Sequence, residues 1–454
     1  MSHALFAPHA LLPTGWARDV LLVWDDAGVL TGVTPNAQPP ASTEVVSGPL
    51  LPGLPNLHSH AFQRAFVGLS EYRGSSDDSF WSWRDLMYRF ALSVSPDQLE
   101  DIATHLYIEM LQAGYTAVCE FHYLHHDRAG RAYADPAEMA MRLINAAQRA
   151  GIGFTLLPVL YQDAGFGGQP ARADQRRFVN SVEGLLEIAA RARAAGTRTG
   201  VAPHSLRAVG AHALAELVAG TPADAPIHIH IAEQPQEVRD CLAWSGQRPV
   251  QWLFANATVD ARWCLVHATH VTAEERDALA ASGAIAGLCP STEANLGDGS
   301  FDAAGYLAAA GVWGIGSDSH ASVHAAEELR LLEYTQRLAL GRRNVLTSAG
   351  HAQLADHLWL GATHGGARAS GRPIGGLAIG QQADFVVLDT RGALAGLSPE
   401  HALANHVFAS QGRNSVRDVW VAGRAQVRDG EHALGRLACE RFVTARGALL
   451  RASA

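Results

Sequence analysis

Between about residues 50 and 370, short β-rich apolar runs alternate with longer Ala, Leu, Arg and Glu stretches of helical character. The runs lie near residues 50–57, 115–123, 154–161, 199–204, 226–232, 263–268, 284–289 and 313–317. Alternation of this kind is the pattern of repeated strand and helix units. Eight such units predict an α/β fold, a TIM-like (β/α)8 barrel whose functional side chains project from the carboxyl ends of the strands.

The flanks read differently. Residues 19–24 and 29–33 look like two strands around the turn Asp25-Asp26-Ala27-Gly28, and residues 383–388 and 416–421 are further strand-like runs. They predict a small β-sandwich satellite domain built from both termini, residues 1–49 with 374–430, around a barrel over 50–373 and before a C-terminal helix over 431–454. Pro39-Pro40-Ala41 and the Gly/Gln-rich patch at 166–169 are expected to be loops. No internal repeat or long linker interrupts the pattern.

Four short pieces stand where apolar runs end: Leu57-His58-Ser59-His60, His230-Ile231-Ala232-Glu233, Val266-His267 and Ser317-Asp318-Ser319-His320. Side chains two apart on a strand share a face, so His58 and His60 can grip one ion as their strand stops. His230 and Asp318 would complete the ligand set. Three imidazoles with a carboxylate suit a divalent cation such as zinc, and a position left open for water makes such a site catalytic. Each piece alone is weak, and His320 or His228 reads equally as an ordinary packed histidine. The argument rests on their convergence at one end of a barrel, where ionisable groups without partners are costly to bury.

Composition narrows the partners. The 454 residues are 48% hydrophobic and carry a formal charge of −9 with no basic block, which points to a small-molecule substrate and away from nucleic acid or an anionic membrane. Cys119, Cys241, Cys264, Cys289 and Cys439 contain no C-x-x-C pair, so neither a disulfide framework nor a thiolate zinc site is expected. A cytoplasmic, soluble and unprocessed protein is the expectation, since no stretch approaches the length of a membrane span. Lysine is absent altogether, so all 35 basic residues are arginine. That removes Schiff-base catalysis and a bridging carbamylated lysine, and it favours one metal ion over two.

The order His-x-His, His, His, Ser-Asp on a barrel with a split β domain resembles the amidohydrolase superfamily and, within it, the deaminase branch. Finer segments resemble the formimidoylglutamate deiminases. They are Asn56 to Arg64, Phe80-Trp81-Ser82-Trp83-Arg84, Glu120-Phe121-His122-Tyr123, Ala202 to Arg207, Ile229 to Gln234 and Cys289 to Gly299. The resemblance implies hydrolysis of N-formimidoyl-L-glutamate to N-formyl-L-glutamate and ammonia in histidine degradation, a zinc cofactor and a homodimer. It also implies that Gln63, Tyr123, His204 and Arg207 bind substrate.

The chemistry fits residue by residue. Water attacking an amidine-like carbon needs one group to take its proton and another to deliver one to nitrogen. Asp318 can be ligand and base, Glu233 the proton shuttle, and His267 a hydrogen-bond partner of the attacking water or the tetrahedral centre. Arg207 offers a planar fork to a substrate carboxylate. From the residues alone, Arg207 also fits a surface ion pair, Gln63 a helix-start amide and Tyr123 a barrel-rim aromatic. Trp81 and Trp83 read as packing residues that an aromatic lid would also explain. The Glu293, Asn295 and Asp298 loop reads as polar turn chemistry, and His122, His125 and His126 as a local cluster holding no metal. Competing readings are a deaminase of a nucleobase or other aminated ring, and a non-catalytic barrel scaffold.

Overall fold

A computed structural model describes residues 3–71, 80–347, 350–410 and 413–453. The eight barrel strands are Leu54–Ser59, Tyr115–His122, Gly153–Leu160, Arg198–Thr199 continued by Ala202–Pro203, Ile227–Ile231, Trp263–His267, Ile285–Leu288 and Val312–Ile315. All neighbouring pairs run parallel. The ring closes through parallel bridges between Val201 and Ile227, Ser205 and His230, and Ser59 and Asp318. Covered on both faces, the first, second, third and fifth of these strands bury every residue, which is why they read as near-continuous apolar runs.

Helices between the strands bury one face each. Pro96–Gln112 starts at a reciprocal Ser95 and Gln98 capping box and buries Leu99, Ile102, Leu106 and Met110. Glu138–Ala150 buries Leu143, Ile144 and Ala147 and stops at Gly151, whose φ of 73° accommodates the left-handed cap. The C-terminal helix Gly435–Ser453 lies against Pro96–Gln112, with Phe442 stacked on His105 at 4.5 Å between ring centres.

The flanks form one continuous nine-stranded sheet contributed by both ends of the chain. Its strands are His3–Leu12, Gly15–Trp24, Leu30–Thr34, Glu44–Val45, Leu50–Pro52, Phe385–Leu388, Val416–Val421, Arg424–Arg428 and Glu431–His432. Leu50–Pro52 joins the two arms, parallel to the first strand at Ala10 and antiparallel to Phe385–Leu388. Leu5, Leu22, Trp24, Leu50, Phe385 and Trp420 belong to an apolar cluster separate from the main core.

The expected first run over 50–57 therefore splits at Gly53 into a strand of the flanking sheet and a strand of the barrel. The Gly53 amide donates to the Asp384 carbonyl at 3.0 Å, and a Cβ at Gly53 would lie 2.2 Å from the Thr116 side chain. Only a residue without a side chain lets the chain cross there. The patch at 166–169 is the tip of a short hairpin between Asp163–Gly165 and Gln169–Pro170.

Candidate metal centre

The first and eighth strands are clamped together at the mouth of the barrel. The Asp318 amide donates to the His58 carbonyl at 3.0 Å, and the His60 amide donates to the Asp318 carbonyl at 3.2 Å. Asn56 reinforces the clamp, accepting from the Ser317 amide at 3.1 Å and donating to the Ser317 hydroxyl at 2.6 Å. Gly316 makes the approach possible, since a Cβ there would stand 2.8 Å from the His58 Cβ. Asp318, His267 and Ala232 take φ values of 46°, 68° and 50° just where functional side chains leave their strands. Non-glycine residues are held in this region only when their surroundings over-determine it.

Within this frame His58, His60, His230 and Asp318 converge. His58 Nε2 lies 2.9 Å from His230 Nε2 and 3.5 Å from Asp318 Oδ1, and His60 Nε2 lies 3.3 Å from the same oxygen. The far ring nitrogens of His60 and His230 are occupied, while His58 Nδ1 is buried without a hydrogen-bond partner. His60 Nδ1 donates to the Phe121 carbonyl at 2.9 Å and His230 Nδ1 to the His204 carbonyl at 3.0 Å, so each ring turns an Nε2 lone pair inward. Burial drives the His58 imidazole down to about 3 and lowers His60 and His230, keeping all three neutral. Burial alone would raise Asp318, yet His58, His60 and His267 hold it below the usual carboxylate range. Neutral imidazoles and an ionised carboxylate are the forms that bind a divalent cation.

His267 and Glu233 stand beside this group. His267 Nε2 is 3.6 Å from Asp318 Oδ2 and 3.7 Å from Glu233 Oε1, and Glu233 Oε2 is 4.0 Å from Arg207 Nη2. Burial pushes Glu233 up to about 7, against the pull of His267 and Arg207. Burial opposes a charge on His267, but Glu233, Glu293 and Asp318 outweigh it and raise the ring to about 10. Glu237 fixes the turn that carries Glu233, accepting from the Ala232 and Glu233 amides at 3.1 and 3.2 Å.

A pocket opens onto the cluster, and Gln63, Tyr123, His204 and Arg207 all line it with His230, Glu233, His267 and Asp318. Gln63 Nε2 donates to the Tyr123 hydroxyl at 2.9 Å, while Gln63 Oε1 is buried without a hydrogen-bond partner. Trp83 also lines the pocket and packs on Phe66 at 6.0 Å; the Trp81 side chain lies outside the described residues. In the His122, His125 and His126 cluster, His125 and His126 bond the Val159 and Val179 carbonyls at 2.9 and 2.8 Å.

The matching family model is the amidohydrolase family, over residues 50–425. The chain belongs to the amidohydrolase family. It is 54% identical over 451 residues to a formimidoylglutamate deiminase of Pseudomonas aeruginosa, covering 98% of this chain and 99% of that protein. An amidohydrolase of Brucella melitensis superposes with a TM-score of 0.94 at 48% identity, covering 99% of this chain and 100% of that one. An adenosine deaminase of Xanthomonas campestris with bound zinc shares the fold, with a TM-score of 0.80 at 23% identity over 99% of this chain and 98% of the other.

Several residues of this amidohydrolase pocket carried no assignment from sequence. Arg84, in helix Phe80–Ser93, puts a second guanidinium into the pocket lining, with its Cζ 5.6 Å from the centre of the Tyr88 ring. Tyr88 and Tyr161 line the same wall, both hydroxyls accepting from Gln175 Nε2 at 3.0 and 2.8 Å. The signal for Arg84 was its place in Trp81-Ser82-Trp83-Arg84, and for Tyr161 its place at the end of the third run.

Proposed function

We propose that this amidohydrolase hydrolyses N-formimidoyl-L-glutamate to N-formyl-L-glutamate and ammonia, a step of histidine degradation. The observation that carries the reading is that two guanidiniums, Arg84 and Arg207, share one pocket with the His/Asp cluster and Glu233. A substrate with a hydrolysable amidine at one end and two carboxylates at the other fits that division. The 54% identical relative bears the corresponding name.

The donor set fits a single zinc ion per protomer held by His58, His60, His230 and Asp318. Bound there, zinc supplies Lewis-acid activation of the attacking water. Asp318 then takes the water proton as oxygen adds to the formimidoyl carbon. Glu233, poised near neutrality, gives its proton to the imino nitrogen as water adds; the proton held by Asp318 then passes to the same nitrogen as its C–N bond breaks and ammonia leaves, and the hydroxyl proton returns to Glu233 as the carbonyl forms. His267 donates to the developing tetrahedral centre. Arg207 and Arg84 hold carboxylates, His204 and Tyr123 shape the wall between them and the metal, and Gln63 Oε1 accepts from a substrate N–H.

The same reading takes the two arms of the flanking sheet as a sandwich-like satellite of the barrel. It also makes the enzyme a cytoplasmic homodimer. Among the described residues, no helix is long and apolar enough to cross a membrane.

The deciding experiment measures ammonia release from formimidoylglutamate, formimidoylaspartate, guanine and cytosine, with metal content determined on the same sample. Preference for formimidoylglutamate supports the reading. Preference for a nucleobase overturns it in favour of ring deamination, and no release from any substrate by metal-loaded protein favours a scaffold.

A further inference from the structure

Glu293 stands behind His267, on the side away from the cluster. It lies in the short helix Pro290–Leu296 that follows the seventh strand, and it is 5% exposed. Its Oε1 is 3.2 Å from His267 Nδ1 and also accepts from the Cys289 amide at 2.9 Å. The other ring nitrogen of His267 faces Glu233 and Asp318 at 3.7 and 3.6 Å. A carboxylate oxygen only accepts, so the bond to Nδ1 requires that nitrogen to carry a proton. That settles which nitrogen is turned to the pocket.

The backbone around the ring is unusual. His267 and Ala268 are consecutive non-glycine residues with φ of 68° and 49°. Their strain is held by the Ala268 amide, which donates to the carbonyls of Ile231 at 3.1 Å and Val266 at 3.0 Å. The strand end therefore fixes where the imidazole is rooted but leaves its rotation about the side-chain bonds to be set by a partner. Glu293 is that partner, and it is itself fixed by Cys289.

We propose that Glu293 is a positioning residue: by accepting the Nδ1 proton of His267 it locks the ring with Nε2 directed between Glu233 and Asp318. The proposal rests on the reading that His267 serves the reacting centre. It goes beyond that reading by giving the loop after the seventh strand a role in the chemistry. The competing account is local, because a glutamate reaching back to the Cys289 amide also caps the helix start.

Glu293→Gln separates the two accounts, since a glutamine keeps the shape and can still accept from the Cys289 amide but cannot offer His267 a charged acceptor. Positioning predicts a kcat lowered about 10-fold to 10²-fold with KM little changed, the size expected when a charge-assisted bond becomes a neutral one. Metal content and Tm should match the unsubstituted enzyme. ¹H–¹⁵N NMR of His267 in the metal-loaded, substrate-free protein should show a strongly hydrogen-bonded, downfield Nδ1–H in the parent and a weakened one in the variant. Glu293→Asp, one methylene short, should not restore the rate. A glutamine variant with unchanged kcat and an unchanged Nδ1–H signal overturns the proposal in favour of helix capping, as does a rate loss that merely follows lost metal or lowered Tm. If the parent enzyme releases no ammonia from formimidoylglutamate, the functional reading fails, while the NMR comparison still decides whether Glu293 sets the ring.

Discussion

Nε2 of His58 stands 2.9 Å from Nε2 of His230, and both rings are neutral by burial. That is hydrogen-bond length: His230 carries its ring proton on Nδ1, so its Nε2 accepts, and His58, whose Nδ1 has no hydrogen-bond partner, donates from Nε2. The farther nitrogen of His230 is tied to a backbone carbonyl, so the ring cannot simply turn away. A divalent cation binding this group would have to displace the proton between the two rings.

Replacing His58 or His230 by Ala is expected to abolish metal binding and turnover together, because a site with an open position has no spare protein ligand. Elemental analysis of active enzyme should give about one divalent ion per protomer. Two tightly held ions, both required for turnover, would refute the mononuclear site.

Glu233→Gln should retain the metal and bind substrate, yet lose kcat by roughly 10² to 10⁴, the range of general acid–base catalysis. Steady-state kinetics paired with metal analysis reads this directly. Loss of the ion would instead make Glu233 a ligand or a structural anchor, and a near-normal kcat would leave the proton work to Asp318 and His267.

Arg207→Met should lower kcat/KM for formimidoylglutamate by on the order of 10², as expected when a bidentate charged contact disappears. Arg84→Met should act in the same direction. On an analogue lacking the recognised carboxylate each variant should approach the parent enzyme; equal losses on both substrates would assign the arginine to the fold or the chemistry.

At Gly316 an added methyl group meets His58 Cβ at 2.8 Å and its amide nitrogen at 2.9 Å. Gly316→Ala should therefore cost about 1–3 kcal/mol of overpacking and displace His58. Thermal unfolding and chelator-dialysis rates should both reveal it, and a variant that holds its ion as firmly as the parent would show that the two strands can separate freely.

The barrel was legible because parallel strands buried on both faces must be apolar end to end, which left eight runs standing out from helical stretches. His58 and His60 were legible because a strand repeats its faces every second residue. Other features were not. Residues 50–57 are almost wholly apolar, so nothing local marks the crossing at Gly53, which depends on Asp384 and Thr116 far away in the chain. The flanking strands were visible singly, but their union into one sheet rests on Leu50–Pro52 pairing in two directions. Arg84 escaped because a helix residue reaches the pocket through packing, which no short-range spacing encodes.

The crossing at Gly53 also bears on synthesis. The strand carrying His58 and His60 begins just after Leu50–Pro52, and that segment is moored on one side to Phe385–Leu388. A ribosome delivers those two partners hundreds of residues apart, so the strand bearing the first two imidazoles emerges early and waits without its anchor through most of elongation. The eighth strand, which brings Asp318, is likewise late. Capture of an ion by these residues would thus belong to the end of the chain's birth, and a prematurely terminated polypeptide would differ from a finished one by its inability to hold metal.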